Sequence, residues 1–304
     1  MLAPNQLHLL NPGDTPELSI FHNMIGDQGV CGMVVQRPGH TSESACLLVS
    51  RTEHTQQVMH DLFSEGQMYE TWTSLLGLAA LQPGDIAIDI GAHVGLFSTL
   101  FRLGVGPTGA VYAFEPMPDT YRRLLHNVIH NRFTNVVPLP LAIADRSGSA
   151  LFHLHPGNEG ECSLIGTPGD ETCQVQVTCL DELFGDILPK RPRLLKIDAE
   201  GVEVAILKGA TRFFETHAPD LVICECKRGA LAATGHSEWD LRNFFDTCDY
   251  ACAVINNGVG IDLRGGQFYR YLTRFESSAP VDHGYVYNLM FVRRESGLYP
   301  APLM

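Results

Sequence analysis

Five acidic side chains stand at or just past the ends of short apolar runs: Asp89 in Ile86-Ala87-Ile88-Asp89-Ile90, Glu115 after Val111–Phe114, Asp198 and Glu200 after Leu194–Ile197, and Glu225 after Leu221–Cys224. In an open α/β sheet ligands bind beyond the carboxyl ends of the strands, where a carboxylate can accept a ligand hydroxyl or take up a proton. The first run leads into Gly91-Ala92-His93-Val94-Gly95. Glycines there let the backbone turn tightly and approach a ligand where a side chain would clash. That turn is suited to a nucleotide-like ligand, and Glu115, at the next strand end, is placed to accept both ribose hydroxyls. Capping the following helix is the competing role for Glu115, and Asp119 is better placed for it. Asp145 follows the third run, as an acceptor for an adenine amino group or as a turn residue in Ala144-Asp145-Arg146-Ser147-Gly148.

The richest junction is Leu195-Lys196-Ile197-Asp198-Ala199-Glu200-Gly201-Val202-Glu203. Lys196 and Asp198 share one side of the strand by its period of two, and part of the cluster is expected to be structural, as an ion pair of Lys196. Glu200 is expected to approach the ligand and Glu203 to cap the next helix. With Glu225, these groups should converge on one cleft.

The elements around these residues alternate. Helices are expected at Leu96–Arg102, Thr120–Asn131, Val202–Phe214 and Trp239–Phe245, between strands at Ile86–Ile90, Val111–Phe114, Val136–Ile143, Leu194–Ile197 and Leu221–Cys224. Such alternation specifies a parallel, doubly wound α/β sheet. An inserted β pair is expected at Leu151–Leu154 and Gln174–Thr178, and a closing hairpin from Tyr250–Ile255 and Tyr285–Val292 at one sheet edge. Residues 1–82 read as an amino-terminal cap: a hairpin from Glu17–Met24 and Val30–Arg37 about Gly26-Asp27-Gln28-Gly29, then helices Thr52–Phe63 and Tyr69–Leu81. Residues 83–304 form the main domain.

Composition narrows the function. With 45% hydrophobic and 18% charged residues the 304-residue chain is globular, and its net charge of −13 disfavours a nucleic-acid partner. No apolar run is long enough to span a bilayer, and Met1–Asp14 lacks the basic start and apolar core of a secretion signal, so a cytoplasmic protein without a membrane partner is expected. Nine cysteines without a C-x-x-C pair suit reduced thiols. Cys224 with Cys226, His126 with His130, and His153 with His155 each lack the further ligands a zinc site needs, so no metal residue is assigned.

Taken in order, Asp89-Ile90-Gly91-Ala92-His93-Val94-Gly95, Phe114-Glu115-Pro116 and the run Leu195–Ala210, LKIDAEGVEVAILKGA, resemble the FkbM-type S-adenosylmethionine-dependent methyltransferases over roughly 84–225. The resemblance implies a seven-stranded, Rossmann-like class I methyltransferase fold. It implies S-adenosylmethionine as cofactor, with S-adenosylhomocysteine as product. Contacts are expected at Asp89, Gly91, Ala92, His93, Gly95, Glu115, Pro116, Asp145, Ser163 and Asp198. Similar proteins mostly methylate hydroxyls on sugars and specialised metabolites.

His93 departs from the asparagine or glycine that many such motifs carry. An alcohol acceptor needs a base, for which Asp198 and Glu200 rank first, then Glu225 and His93; a carboxylic acid acceptor needs none. Asp198 with Glu225 could instead hold Mg²⁺, which the lack of an adjacent Asp-Asn partner disfavours. The expected partner is a small-molecule methyl acceptor walled by the cap and the Asn158–Thr167 loop, with Tyr69, Trp72 and Ser163 as contacts. A homodimer stays open. Competing readings are methyl-ester or N-methyl formation, a nicotinamide-dependent oxidoreductase, for which Gly-x-x-x-Gly is the wrong fingerprint, and a cofactor-binding subunit without catalysis.

Overall fold

The computed structural model describes residues 16–25, 28–155, 157–167, 169–185, 187–255, 269–271 and 286–298. Met1–Asp14, the Gly26-Asp27 half of the first turn and Tyr285 lie outside them.

The amino-terminal unit begins with β1 (Glu17–Ile25) and β2 (Gln28–Gln36), antiparallel as expected, with Ile25 opposite Gln28. A third strand, β3 (Glu43–Ser50), pairs with β2 and was not expected from the sequence. Its signal is the alternation of Ala45, Leu47 and Val49, all buried. Helices α1 (His54–Ser64) and α2 (Thr71–Ala80) follow.

The main sheet then starts with β4 (Ile86–Ile90), α3 (Leu96–Val105), β5 (Ala110–Phe114), α4 (Pro118–His130) and β6 (Val136–Leu139). The expected single strand Val136–Ile143 breaks at Pro140, which has no N–H for a ladder. Its second half, β7 (Leu141–Ile143), joins β8 (Gly148–His153) and β9 (Thr172–Thr178) in a separate three-stranded sheet, ordered β7-β9-β8. The expected β pair is therefore present, with β7 added to it.

After α5 (Leu180–Leu183) the chain returns through β10 (Leu194–Ile197), α6 (Glu203–Lys208), α7 (Thr211–His217), β11 (Leu221–Lys227), α8 (Arg228–Ala233), α9 (Glu238–Thr247), β12 (Tyr250–Ile255), β13 (Tyr269–Tyr271) and β14 (Val286–Arg293). The single helix expected over Val202–Phe214 is two, broken at Gly209, where a Cβ would lie 2.3 Å from the Ala144 carbonyl oxygen.

The large sheet runs β13-β12-β14-β11-β10-β4-β5-β6. Its seven expected strands are all present, and the short β13 extends one edge. β4, β5, β6, β10 and β11 are parallel, while β14 slots antiparallel between β11 and β12, so the last strand is internal rather than at the edge. β4 and β10 are buried on both faces, which explains their unbroken apolar runs. One face packs Ile88, Leu195 and Val222 against Phe213 and Phe245, and the other packs Ala87, Leu194 and Ile223 with Phe101. The chain moves from β4 to β5 and β6 on one side and then to β10 on the other, which puts the topological switch point between β4 and β10. Among the described residues no helix is long and apolar enough to cross a membrane.

The amino-terminal sheet is seated firmly on this core. Met33, Leu47 and Phe63 share a buried cluster with Val94, Leu96 and Leu100 at the start of α3. The open edge of β3 is closed by two asparagines one turn apart, Asn127 on α4 and Asn131 at its C-cap. Asn127 accepts from Leu48 N (2.8 Å) and donates to Leu48 O (3.2 Å), and Asn131 makes the same pair of bonds with Cys46. Their amides stand in for a neighbouring strand on an edge that would otherwise be unpaired. Asn127 also donates to Val94 O at 2.8 Å, so one buried side chain joins α4, the cap and the glycine turn. Asn127→Ala should cost about 2–4 kcal/mol in urea unfolding, because it strands three backbone groups at once.

Candidate active site

A cavity of about 350 Å³ opens over the switch point, at the carboxyl ends of β4, β5, β10 and β11. Its floor is the glycine turn, and this turn could be built only from glycine at its first position. Gly91 has φ +78°, and a Cβ there would sit 1.7 Å from the Asp198 carbonyl oxygen. The end of β10 and the turn are therefore in contact, which brings the two sequence motifs together.

Gly91, Ala92, His93, Glu115, Pro116, Asp198, Glu200, Glu225 and Tyr69 all line the cavity. The other expected residues sit elsewhere. Asp89 is wholly buried beneath it, accepting the Ser98 hydroxyl at 2.5 Å, and stands opposite Lys196 on β10. Gly95 ends the turn at the start of α3. Asp145 is exposed beside Arg146, because β7 has left the main sheet before that position. Ser163 donates to Glu200 O (2.9 Å) and accepts from Ile165 N (3.2 Å), so it pins the loop to the β10 junction. Trp72 packs against the core formed with α3.

At one end of the cavity Glu115 accepts the backbone N–H groups of His93 and Met117, each at 2.9 Å. Burial pushes its carboxyl up to about 7, against the pull of the nearby His93 and of these two bonds. Ribose hydroxyls are donors of the kind that would favour the ionised form.

At the other end Asp198, Glu200 and Glu225 each offer an oxygen within 4.8 Å of the other two. Lys196 Nζ donates to Asp198 at 2.6 Å, and Lys227 Nζ to Glu200 at 2.8 Å. Glu225 Oε2 is shielded from solvent without a hydrogen-bond partner. Burial, then Asp198, pushes Glu200 up to about 7, and burial with Asp198 and Glu200 pushes Glu225 well above the usual carboxylate range. The ion pair of Lys196 forms, but the expected helix cap does not: α6 has no side-chain cap, because Glu203 turns back to the loop before the helix. Glu203 opens α6 and its carboxylate accepts Ala199 N (3.2 Å) and Gly201 N (3.0 Å).

Three acids that line the cavity, Glu70, Glu159 and Glu161, were not singled out from the sequence. Glu70, next to Tyr69 at the start of α2, accepts Asn288 Nδ2 at 2.7 Å; burial pushes the Tyr69 hydroxyl well above its ordinary value, and Glu70 adds to that. Glu159, in the loop between β8 and β9, lies against His93. Nothing local marks Glu70 or Glu159, since each depends on distant elements meeting. Lys227 was legible, two residues past Glu225 on the same strand face.

Such a site can hold a ribose at Glu115, attract positive charge, and accept a proton. Three carboxylates also suit a hard cation such as Mg²⁺ by ligand type, but two of them already bear lysine ammonium groups.

Comparison with known proteins agrees with the order of motifs. A family model for the methyltransferase FkbM domain matches residues 89–252. The chain is 29% identical over 152 residues to the hexuronic acid methyltransferase AglP of Haloferax volcanii, covering 50% of this chain and 60% of that protein. It is 34% identical over 159 residues to the 31-O-demethyl-FK506 methyltransferase FkbM of Streptomyces tacrolimicus, covering 42% of this chain and 60% of that protein. The chain thus spans about 60% of the length of these relatives. Among solved structures, an S-adenosylmethionine-dependent O-methyltransferase from Thermotoga maritima aligns over 94% of this chain and 95% of its own, at 12% identity and a TM-score of 0.41.

The raised carboxyls carry a consequence for stability. Glu200 and Glu225 keep protons in the folded, ligand-free protein at pH values where the unfolded chain has lost them. Stability should therefore fall as pH rises from the ordinary glutamate range near 4.3 through about 7. Glu225→Gln should stabilise the ligand-free protein at pH 8 by roughly 1–2 kcal/mol in urea unfolding, and much less at pH 5.

Proposed function

The chain belongs to the FkbM methyltransferase family, and on that premise we propose that it is an S-adenosylmethionine-dependent enzyme that methylates a hydroxyl on a small metabolite or sugar. The observation that carries this reading is the division of the cavity. A carboxylate that can bind ribose, Glu115, lies at one end, and three converging carboxylates at the other.

When bound, the cofactor supplies an electrophilic methyl on a sulfonium. Glu115 accepts the ribose hydroxyls, and the turn from Gly91 to His93 faces the rest of the cofactor with backbone rather than bulky side chains. The acidic end complements the positive sulfonium and lowers the cost of holding it out of water. One carboxylate of the Asp198 and Glu200 pair would accept the single proton of the acceptor hydroxyl, and Lys196 and Lys227 hold the two in place. The amino-terminal unit, through Tyr69, Glu70, Val58 and Met59, forms a wall of the acceptor space.

The same charges favour a hydroxyl over a carboxylate acceptor. A second anion among Asp198, Glu200, Glu225 and Glu70 would be repelled, and a carboxylate needs no base, which would leave the cluster without a task.

Titration calorimetry with S-adenosylmethionine beside NADH is the test of cofactor, followed by a mass screen of hydroxylated and carboxylated acceptors for the gain of one methyl group. Binding of S-adenosylmethionine and methylation of alcohols are expected; binding of NADH alone would sink the reading. Glu115→Ala should weaken cofactor binding by about 2–3 kcal/mol. Glu200→Gln should lower kcat by about 10²–10⁴ with little change in cofactor Kd. Glu200 is the cleaner probe of the base, since removing Asp198 also strands the buried Lys196 ammonium.

A further inference from the structure

We propose that Glu159 is a positioning residue of the cofactor site and acts through His93, an inference that rests on the functional reading above.

His93 is a residue of the glycine turn held in the left-handed region, at φ +52°. Histidine tolerates this conformation better than most residues, but it still needs surroundings that fix it. Its backbone N–H donates to Glu115 at 2.9 Å, so the conformation of His93 sets the position of the ribose-binding carboxylate. The ring is held from outside the turn: Nε2 meets Glu159 Oε1 at 3.1 Å, and the Glu159 side chain is only 6% exposed. Nδ1 is buried without a hydrogen-bond partner, which leaves it available to a ligand hydroxyl.

Glu159 is itself fixed by the amino-terminal unit. The same oxygen accepts Gln56 Nε2 from α1, and Gln56, wholly buried, in turn accepts Ser50 N at 2.7 Å and Arg123 Nη1 at 3.3 Å. One residue earlier, Asn158 accepts the Thr55 hydroxyl at 2.9 Å. The other side of the loop is tied to the acidic end, where Ser163 donates to Glu200 O and Lys227 reaches Glu161 at 3.3 Å. The loop therefore crosses the cavity as a strap from α1 to the β10 junction. Glu159 is the point at which the strap grips the glycine turn.

The Glu159 carboxyl lies below the usual carboxylate range. Burial would raise it, but the His93 hydrogen bond and charge, with Gln56 and Arg123, outweigh burial. Glu159 is thus an ionised acceptor in the ligand-free protein, and it aligns the His93 ring before the cofactor arrives. A strap tied at both ends across the cavity slows the departure of a bound cofactor, so the effect belongs in the dissociation rate.

The experiment is a double-mutant cycle on the dissociation rate of S-adenosylhomocysteine, with Glu159→Gln, His93→Asn and the double variant, alongside thermal unfolding of the ligand-free proteins. Asparagine keeps the left-handed backbone accessible, so His93→Asn serves if Glu159→Gln does not fold. Each single variant is expected to raise the dissociation rate about tenfold, and the double variant no further than the stronger single one. Ligand-free Tm should move by only a few degrees, whereas a merely structural contact would move Tm and leave the rate alone. Effects that multiply in the double variant, or unchanged rates, overturn the inference while leaving the functional reading intact. Failure of the wild-type protein to bind S-adenosylhomocysteine overturns both.

Discussion

The arrangement of this protein turns on one buried ammonium group. Lys196 is 1% exposed in the middle of the sheet, where an unpaired charge would cost several kcal/mol. Asp198 meets it at 2.6 Å, Asp89 faces it from β4, Glu70 adds negative charge from the start of α2, and the Phe97 ring covers it with its centroid at 4.4 Å. Burial would lower the lysine's affinity for its proton, but these carboxylates raise it above the ordinary lysine value. Its partners come from β4, β10 and α2, so satisfying this one charge aligns the first core strand, the fourth and the amino-terminal unit.

That constraint explains why so many carboxylates can gather at one end of the cavity. Lys196 and Lys227 pair with Asp198 and Glu200, and Glu225, pushed well above the usual carboxylate range, keeps its proton until something positive enters. The acidic end is therefore held in readiness at some expense to stability, as expected of a site shaped for binding and proton transfer rather than for folding. The amino-terminal unit belongs to the same design. It shares a core with α3, its β3 edge is closed by Asn127 and Asn131, and through Gln56 it fixes the loop that touches His93.

Much of this was legible in the residues. Strands buried on both faces leave unbroken apolar runs, and a parallel sheet places its ligand beyond their carboxyl ends, so Glu115, Asp198, Glu200 and Glu225 could be located from pattern alone. The two-residue period put Lys196 and Asp198 on one side of the strand, and an ion pair of Lys196 was expected; its partner proves to be Asp198. The misses share a cause. Asp145 looked like a strand end of the main sheet, but Pro140 had already diverted the chain into β7. β3 went unread because its alternation is short and half polar. Glu70 and Glu159 act only because α2 and the β8–β9 loop fold over the switch point, a long-range outcome with no local signature. His93 was an oddity in the turn, and its partner lies in that same loop.

The cleft over the β4–β10 switch point is where we place the cofactor. Hydrogen–deuterium exchange with and without S-adenosylmethionine tests it most directly. The account predicts protection of 91–97, 114–117, 158–164 and 198–202, the segments that line or support the cavity, and no such protection from NADH. Unchanged exchange in these segments, or protection confined to another part of the chain, would contradict it.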